Sequence, residues 1–214
     1  MKHIGGILIT LLFVSLVSCG DKQTSKVSIY PNTTKSDKVY KKVLVISSSP
    51  RKGGNSDLLC DEFMKGAQAS GHFAEKVFLN DKEINFFVRD DYTVKDSTVF
   101  DDAPGIVQKM VDADVIVLAT PVYFYTMCGQ MKTLIDRTYD RYKEIKGKEF
   151  YYIITAAIQD KSKLQRIIEE FRGYLECLPS ASECGIIYGI GTWMKGDVKK
   201  TVAMKNAYKM GKEL

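Results

Sequence analysis

Histidine is almost absent from this sequence, and its scarcity narrows the chemistry the chain can perform. Only His3 and His72 occur among the 214 residues, and His3 lies in an apolar leader. Histidine-based catalysis would therefore depend on His72 alone, in the turn ASGHFAE, and we predict no catalytic side chain. The sequence also has no CxxC pair and no cluster of cysteine with histidine, so we predict no zinc or iron–sulfur site.

Dense runs of one charge are also missing. The chain carries 31 basic and 26 acidic residues, for a formal net charge of +5, and the basic residues are scattered. A nucleic-acid-binding surface normally concentrates lysine and arginine on one face or in one stretch. We therefore predict a surface of mixed charge and no nucleic-acid partner.

The first residues have the proportions of a secretory signal. A basic residue, Lys2, precedes the apolar run from Ile4 to Val17. The stretch LVSC, Leu16 to Cys19, resembles the bacterial lipobox, which implies cleavage before Cys19 and lipidation of its sulfur. Acyl chains contribute about 0.8 kcal/mol per buried CH₂, enough for a durable anchor when two or three are attached. We predict a lipoprotein signal peptide over residues 1–18 and a membrane location in the bacterial cell envelope. A simple signal peptide and an uncleaved signal anchor are the alternatives.

The remaining cysteines divide into two kinds. Cys60 and Cys128 lie within apolar helical patterns and are interpreted as buried thiols. Cys177 and Cys184, separated only by LPSASE, are the candidates for a disulfide outside the cytoplasm, and the sequence leaves open whether it forms.

A polar segment separates the leader from the folded part of the chain. Residues 19–40 are rich in serine, threonine, lysine and aspartate, which predicts a lipidated cysteine followed by a tether. From residue 41 to 214, short apolar runs alternate with amphipathic segments. The run VLVIS is apolar throughout, as a strand covered on both faces should be. Five such strands alternating with helices predict an α/β domain: a doubly wound five-stranded parallel sheet with helices on both faces.

The turn SSSPRKGGNS, after the first predicted strand, has the composition of a phosphate-binding loop. Its hydroxyls and Arg51 can bind phosphate oxygens, and Gly53 and Gly54 let backbone N–H groups turn inward. Neither GxxxxGK[ST] nor GxGxxG is present, so the loop is neither a Walker loop nor a dinucleotide fingerprint. Ligands of doubly wound sheets lie beyond the carboxyl ends of the strands, where this turn is predicted.

A second loop at the same predicted edge is aromatic. In TPVYFYTMCGQMKTLIDR, Pro121 follows the third strand, and Tyr123, Phe124 and Tyr125 come next, before a predicted helix cap at Thr126. Aromatic side chains beside a phosphate loop suggest a flat aromatic ligand.

Together the two motifs resemble the NADPH-dependent FMN reductase branch of the flavodoxin-like proteins, close to the iron–sulfur flavoproteins. The family pattern places S-P-R-x-x-G-N-[ST] after the first strand and P-V-Y followed by [ML]-K-x-x-x-D-R after the third. The resemblance implies FMN as cofactor. Its phosphate would contact Ser49, Arg51, Asn55 and Ser56; its ribityl chain and ring would lie along Pro121, Val122, Tyr123, Phe124 and Thr126; Thr155 and the residues up to Ile158 would flank the ring.

The chain departs from the iron–sulfur members in one segment. INFFVRDDYTVKDSTVFDDAP has none of the close-set cysteines that hold their cluster. Phe86, Phe87 and Tyr92 stand there instead, and we predict a lid over the flavin.

The resemblance implies an FMN-dependent NAD(P)H oxidoreductase that passes electrons to a small acceptor such as a quinone. NAD(P)H is scarce outside the cytoplasm, so another electron donor is the alternative to NAD(P)H. The alternatives are a flavodoxin-type electron carrier and a flavin-binding protein without its own catalysis. A homodimer is left open.

Overall fold

Strands and helices alternate through residues 39–88 and 100–214, the part of the chain that the computed structural model describes. These residues belong to one compact unit, Lys38–Leu214. The strands are β1 (Lys42–Ser47), β2 (Phe73–Phe78), β3 (Val115–Tyr123), β4 (Thr126–Met127), β5 (Glu149–Ala156) and β6 (Ser182–Ile190). The helices are α1 (Asn55–Ala69), α2 (Ala103–Asp112), α3 (Gly129–Asp136), α4 (Gln165–Glu176) and α5 (Ala203–Lys212).

The sheet has the predicted topology. Its strand order is β2-β1-β3-β5-β6, all neighbours along this path are parallel, and the short β4 pairs with β3 outside the path. Counting only the five parallel strands, the order is 2-1-3-4-5, which is the flavodoxin-like arrangement. The predicted fold class is therefore confirmed.

Two apolar clusters hold the helices on the sheet. Alternate residues of β1 point to opposite faces, so Val43 and Val45 pack with α1 and α5, whereas Leu44 and Ile46 pack on the other side. That second cluster takes its helical residues from α2, α3 and α4. Because both faces are covered, the central strands contain continuous apolar runs, such as Val115–Ala119 of β3, as the sequence predicted.

Glycines allow α1 and α5 to approach closely on their shared face. A Cβ atom on Gly66 of α1 would lie 2.0 Å from the carbonyl oxygen of Tyr208. In the opposite direction, a Cβ on Gly211 would lie 2.0 Å from the carbonyl oxygen of Phe63. Real Cβ atoms do not come so close to backbone atoms, so both positions require glycine.

The prediction of a helix cap at Thr126 is wrong. Phe124 and Tyr125 take positive φ angles of 51° and 64°, which reverse the chain into a two-residue hairpin. Thr126 then pairs with Tyr123 in an antiparallel ladder, and α3 begins only at Gly129. Glycine and asparagine are the usual residues in such a turn, so the sequence YFYT carried no signal for it.

Several predictions fall on residues that the structure does not describe. The predicted signal peptide, the predicted lipidation site at Cys19 and most of the predicted tether lie outside the described residues, as does Tyr92 of the predicted lid. Phe87 of that segment is described, and its ring centroid lies 4.9 Å from that of Tyr139. Within residues 39–88 and 100–214, no helix is long and apolar enough to cross a membrane.

The four described cysteines are all free thiols. Cys60 and Cys128 are buried, as predicted. Cys177 and Cys184, the candidates for a disulfide, are exposed and unpaired in the structure.

Candidate flavin site

The carboxyl ends of the parallel strands surround a cavity of about 370 Å³. The loops after β1, β5 and β6 form it, together with the start of α1 and the last residues of β3 and β5. Its lining contains Ser49, Pro50, Arg51, Asn55, Ser56, Pro121, Val122, Tyr123, Thr155, Ala156, Ala157, Thr192, Trp193 and Met194. The two motifs quoted from the sequence thus meet in one cavity.

A larger cavity, about 690 Å³, lies at the opposite ends of β1 and β2. It is lined by Lys42, Phe73 and other residues that belong to neither motif. The smaller cavity is the candidate site because it contains the motif residues, at the edge where doubly wound sheets bind ligands.

The loop after β1 is a tight turn closed by its own hydrogen bonds. The Ser49 hydroxyl donates to the carbonyl oxygen of Arg51 at 2.9 Å and accepts from the Arg51 N–H at 3.3 Å. The Gly54 N–H donates to the same carbonyl at 2.8 Å. A Cβ on Gly54 would lie 2.7 Å from this oxygen, so only glycine fits the turn. The Ser49 side chain therefore shapes the loop.

A buried carboxylate stabilises the turn after β1 by a hydrogen bond. Asp57, in the first turn of α1, accepts the Gly53 N–H at 2.8 Å and the Lys76 ammonium at 2.7 Å. Lys76 also donates to Asp61 at 2.5 Å. Burial alone would lower the pKa of Lys76, but its hydrogen bonds to the two carboxylates and their charges outweigh burial and raise it. Lys76 is thus charged at neutral pH and fixes Asp57 under the turn.

These features fit the phosphate of FMN. Helix α1 begins without a side-chain cap, so the N–H groups of its first turn face the loop. Their dipoles favour an anion there. The Arg51 side chain is exposed, and among the described residues it forms no ion pair; its one hydrogen bond is a long contact of 3.5 Å to the carbonyl oxygen of Trp193. A free guanidinium at an uncapped helix start is suited to a phosphate.

Ser56 and Thr155 link the phosphate loop to β5. Their hydroxyl oxygens lie 2.7 Å apart, and both residues are buried. Ser56 was predicted to contact phosphate and Thr155 to flank the ring. The structure places both side chains in the cavity wall, where they fix α1 against the end of β5.

The hairpin carries the aromatic residues of the second motif. Pro121, Val122 and Tyr123 line the candidate cavity. Phe124 and Thr126 line a neighbouring groove instead, and Phe124, at the tip of the turn, is 98% exposed. Of the hairpin residues, only Tyr123 lines both the candidate cavity and this groove. The first three residues are therefore placed to contact a flavin, and the tip of the hairpin points away from the cavity.

The Asn55 side chain forms its hydrogen bonds with the loop after β6, not with the turn from Ser49 to Gly54. Its Nδ2 donates to the carbonyl oxygen of Met194 at 3.0 Å, and its Oδ1 accepts the Gly196 N–H at 3.0 Å. The amide is therefore engaged by the loop after β6. What Asn55 can offer a phosphate is its backbone N–H.

The loop after β6 also contributes to the cavity, which neither motif predicted. Thr192, Trp193 and Met194 line the cavity, although two strands, β3 and β5, lie between β6 and β1 in the sheet. The reason is the position of α5, which packs beside α1, so the chain leaving β6 passes the start of α1 on its way. The signal in the sequence was GIGTWMKGDV, which places the only tryptophan in a glycine-rich turn after a strand.

The 2-1-3-4-5 order of the parallel strands, with residues of both motifs at their carboxyl ends, defines a flavodoxin-like fold. The sequence profile of the NADPH-dependent FMN reductase family matches residues 41–178. The chain belongs to this family, which confirms the resemblance and the expected cofactor, FMN.

Individual relatives agree with this assignment. An iron–sulfur flavoprotein of Methanocaldococcus jannaschii is 37% identical over 99 residues, which are 45% of this chain and 51% of the relative. A Bacillus subtilis protein, named as an NAD(P)H-dependent FMN-containing oxidoreductase, is 25% identical over 61% of this chain and 75% of its own length. The chain thus spans about half the length of the first relative.

A solved structure shares the fold. The NAD(P)H:quinone oxidoreductase of Methanothermobacter marburgensis superposes with a TM-score of 0.63, covering 82% of this chain and 97% of the other. Its sequence identity of 15% shows a common fold.

Proposed function

We propose that the protein is an FMN-dependent oxidoreductase that moves electrons from NAD(P)H to a small acceptor such as a quinone. The observation that carries the proposal is the cavity in which the phosphate loop and Tyr123 of the aromatic hairpin meet. Family membership and the name of the Bacillus relative support the same activity.

The residues of the chain would bind and orient the cofactor. The turn from Ser49 to Gly54 and the start of α1 would hold the phosphate. Pro121, Val122 and Tyr123 would lie along the ribityl chain and ring. Bound FMN would supply the redox chemistry, taking two electrons from the donor and giving them to the acceptor. No side chain has to act as an acid or base for hydride transfer.

The test combines binding with turnover. We expect the purified protein to quench the fluorescence of added FMN and, once loaded, to oxidise NADH or NADPH in the presence of a soluble quinone. Protein that binds no FMN would overturn the proposal. Protein that binds FMN, shows no turnover with any NAD(P)H and quinone pair, and exchanges single electrons with a donor protein would instead be an electron carrier.

We also propose that Cys19 anchors the protein to a membrane of the cell envelope, because LVSC closes an apolar run of signal length. Cells labelled with a radioactive fatty acid should incorporate label into the wild-type protein and lose it in Cys19→Ser. Equal label in both proteins would contradict lipidation at this residue.

A further inference from the structure

The loop after β6 places a further basic side chain, that of Lys195, against the turn after β1. We propose that Lys195 is a phosphate-binding cation of the flavin site, and that Asn55 is the positioning residue that holds it there. The inference rests on the proposed binding of FMN, and it adds a binding residue that lies outside both sequence motifs.

Asn55 holds the backbone on both sides of Lys195. Its amide donates to the carbonyl oxygen of Met194, the residue before Lys195, at 3.0 Å. Its oxygen accepts the N–H of Gly196, the residue after Lys195, at 3.0 Å, and that of Val198 at 3.3 Å. Asn55 is itself 4% exposed, at the start of α1. One buried amide therefore ties the turn that bears Lys195 to the helix end that faces the phosphate.

The turn is also held from within. The Asp197 carboxylate accepts the Met194 N–H at 2.7 Å and the Trp193 N–H at 3.1 Å. Gly196 has a φ of 89°, a conformation that favours glycine, and it lets the chain turn back directly after Lys195. The backbone position of Lys195 is thus set before any ligand binds.

The Lys195 side chain reaches over the phosphate loop. Its Cε lies 3.3 Å and its Nζ 3.6 Å from the point where a Cβ on Gly53 would stand. Gly53 belongs to the tight turn after β1 and has a φ of 67°. The ammonium group therefore lies against the same turn that carries Arg51.

Two cations at the turn after β1 have no carboxylate partner among the described residues, which suits a dianionic ligand. Lys52, the neighbouring lysine, pairs with Asp81 at 3.0 Å. Neither Arg51 nor Lys195 forms an ion pair with a carboxylate among the described residues. A phosphate monoester carries a charge of about −1.5 to −2 at neutral pH. Two unpaired cations on separate loops match that charge better than Arg51 alone.

The experiment compares FMN with riboflavin, which lacks the phosphate. Dissociation constants for both flavins are measured by fluorescence titration, with thermal unfolding to verify the fold of each variant. We expect Lys195→Gln to weaken FMN binding about tenfold and riboflavin binding less than about twofold, because one charge-assisted contact is lost. Lys195→Arg should recover most of the loss. Lys205→Gln, at an exposed lysine of α5 outside the cavity lining, is the matched control, and it should change neither affinity.

Asn55→Ala tests the positioning role. It should show the same selective loss of FMN affinity, and adding Lys195→Gln to it should cost little more, since both changes remove one contact. Fully additive losses would show that Asn55 does not act through Lys195.

The outcomes separate this inference from the proposed function. If the wild type binds FMN more tightly than riboflavin and Lys195→Gln preserves the difference, the inference is wrong and the flavin site stands. If Lys195→Gln weakens both flavins equally, Lys195 supports the loop instead of the phosphate, and the inference is again wrong. If the wild type binds neither flavin, the proposed function fails, and this inference with it.

Discussion

Gly66→Ala should lower the free energy of unfolding by at least about 3 kcal/mol, at the upper end of the usual cost of overpacking. The added methyl group would stand 2.0 Å from the carbonyl oxygen of Tyr208 and 2.8 Å from the backbone nitrogen of Lys212. Both atoms belong to the backbone of α5, so no side-chain rotation can relieve the clash. The two helices must separate, and the apolar contacts between them are then partly lost.

Gly173→Ala is the matched control for this change. Gly173 is an exposed position inside α4, and a Cβ there would meet nothing within 4 Å. Because glycine is a poor helix former, we expect this variant to gain about 0.5–1 kcal/mol. Urea unfolding followed by circular dichroism measures both variants. If Gly66→Ala were as stable as Gly173→Ala, the close packing of α1 on α5 would be incorrect.

Gly54→Ala should reduce FMN affinity by a factor of about 100 or more. A Cβ at this position would lie 2.6 Å from the Ser49 hydroxyl and 2.7 Å from the Arg51 carbonyl oxygen. The hydroxyl can rotate away, but the carbonyl can move only with the turn, whose closing hydrogen bond from the Gly54 N–H would break. Losing two charge-assisted hydrogen bonds to phosphate, at about 1.5–3 kcal/mol each, gives a loss of this size.

The same substitution at Gly129 is the control for Gly54→Ala. Gly129 begins α3 at the same edge of the sheet, and a Cβ there would meet nothing within 4 Å. We expect Gly129→Ala to bind FMN like the wild type in a fluorescence titration. Riboflavin affinity should change much less than FMN affinity in Gly54→Ala. A similar loss for both flavins would mean that the turn after β1 does not hold the phosphate.

The sheet could be predicted from the sequence because strands that are buried on both faces contain continuous runs of apolar residues. Runs such as VLVI in β1 and VIVLA in β3 are apolar at every position, and a parallel order follows from the alternation of strands with helices. The hairpin that joins β3 to β4 could not be predicted, because its sequence contains none of the usual turn residues. Its central residues, Phe124 and Tyr125, adopt backbone angles that aromatic residues seldom take, so composition pointed to a helix start.

That the two motifs meet in one cavity could be predicted, because segments that end or follow parallel strands lie at the same edge of the sheet. What sequence could not give was the direction of each side chain. Asn55 matches the family pattern at a position assigned to phosphate, yet its amide holds a turn that is 141 residues away along the chain. Contacts over that separation depend on which helices share a face of the sheet, and pattern alone does not determine this.

Because Asn55 bonds to residues near the end of the chain, the flavin site can be completed only late in protein synthesis. At roughly 5–20 residues per second, the ribosome adds Gly196 roughly 7–28 seconds after Asn55, since 141 residues separate them. Helix α5, against whose backbone Gly66 packs, is synthesised later still. Until then the turn after β1 is present, but the loop that brings Lys195 to it is not. We therefore expect the nascent chain to acquire FMN only after synthesis is nearly complete, and chains that stop before residue 196 to be released without cofactor.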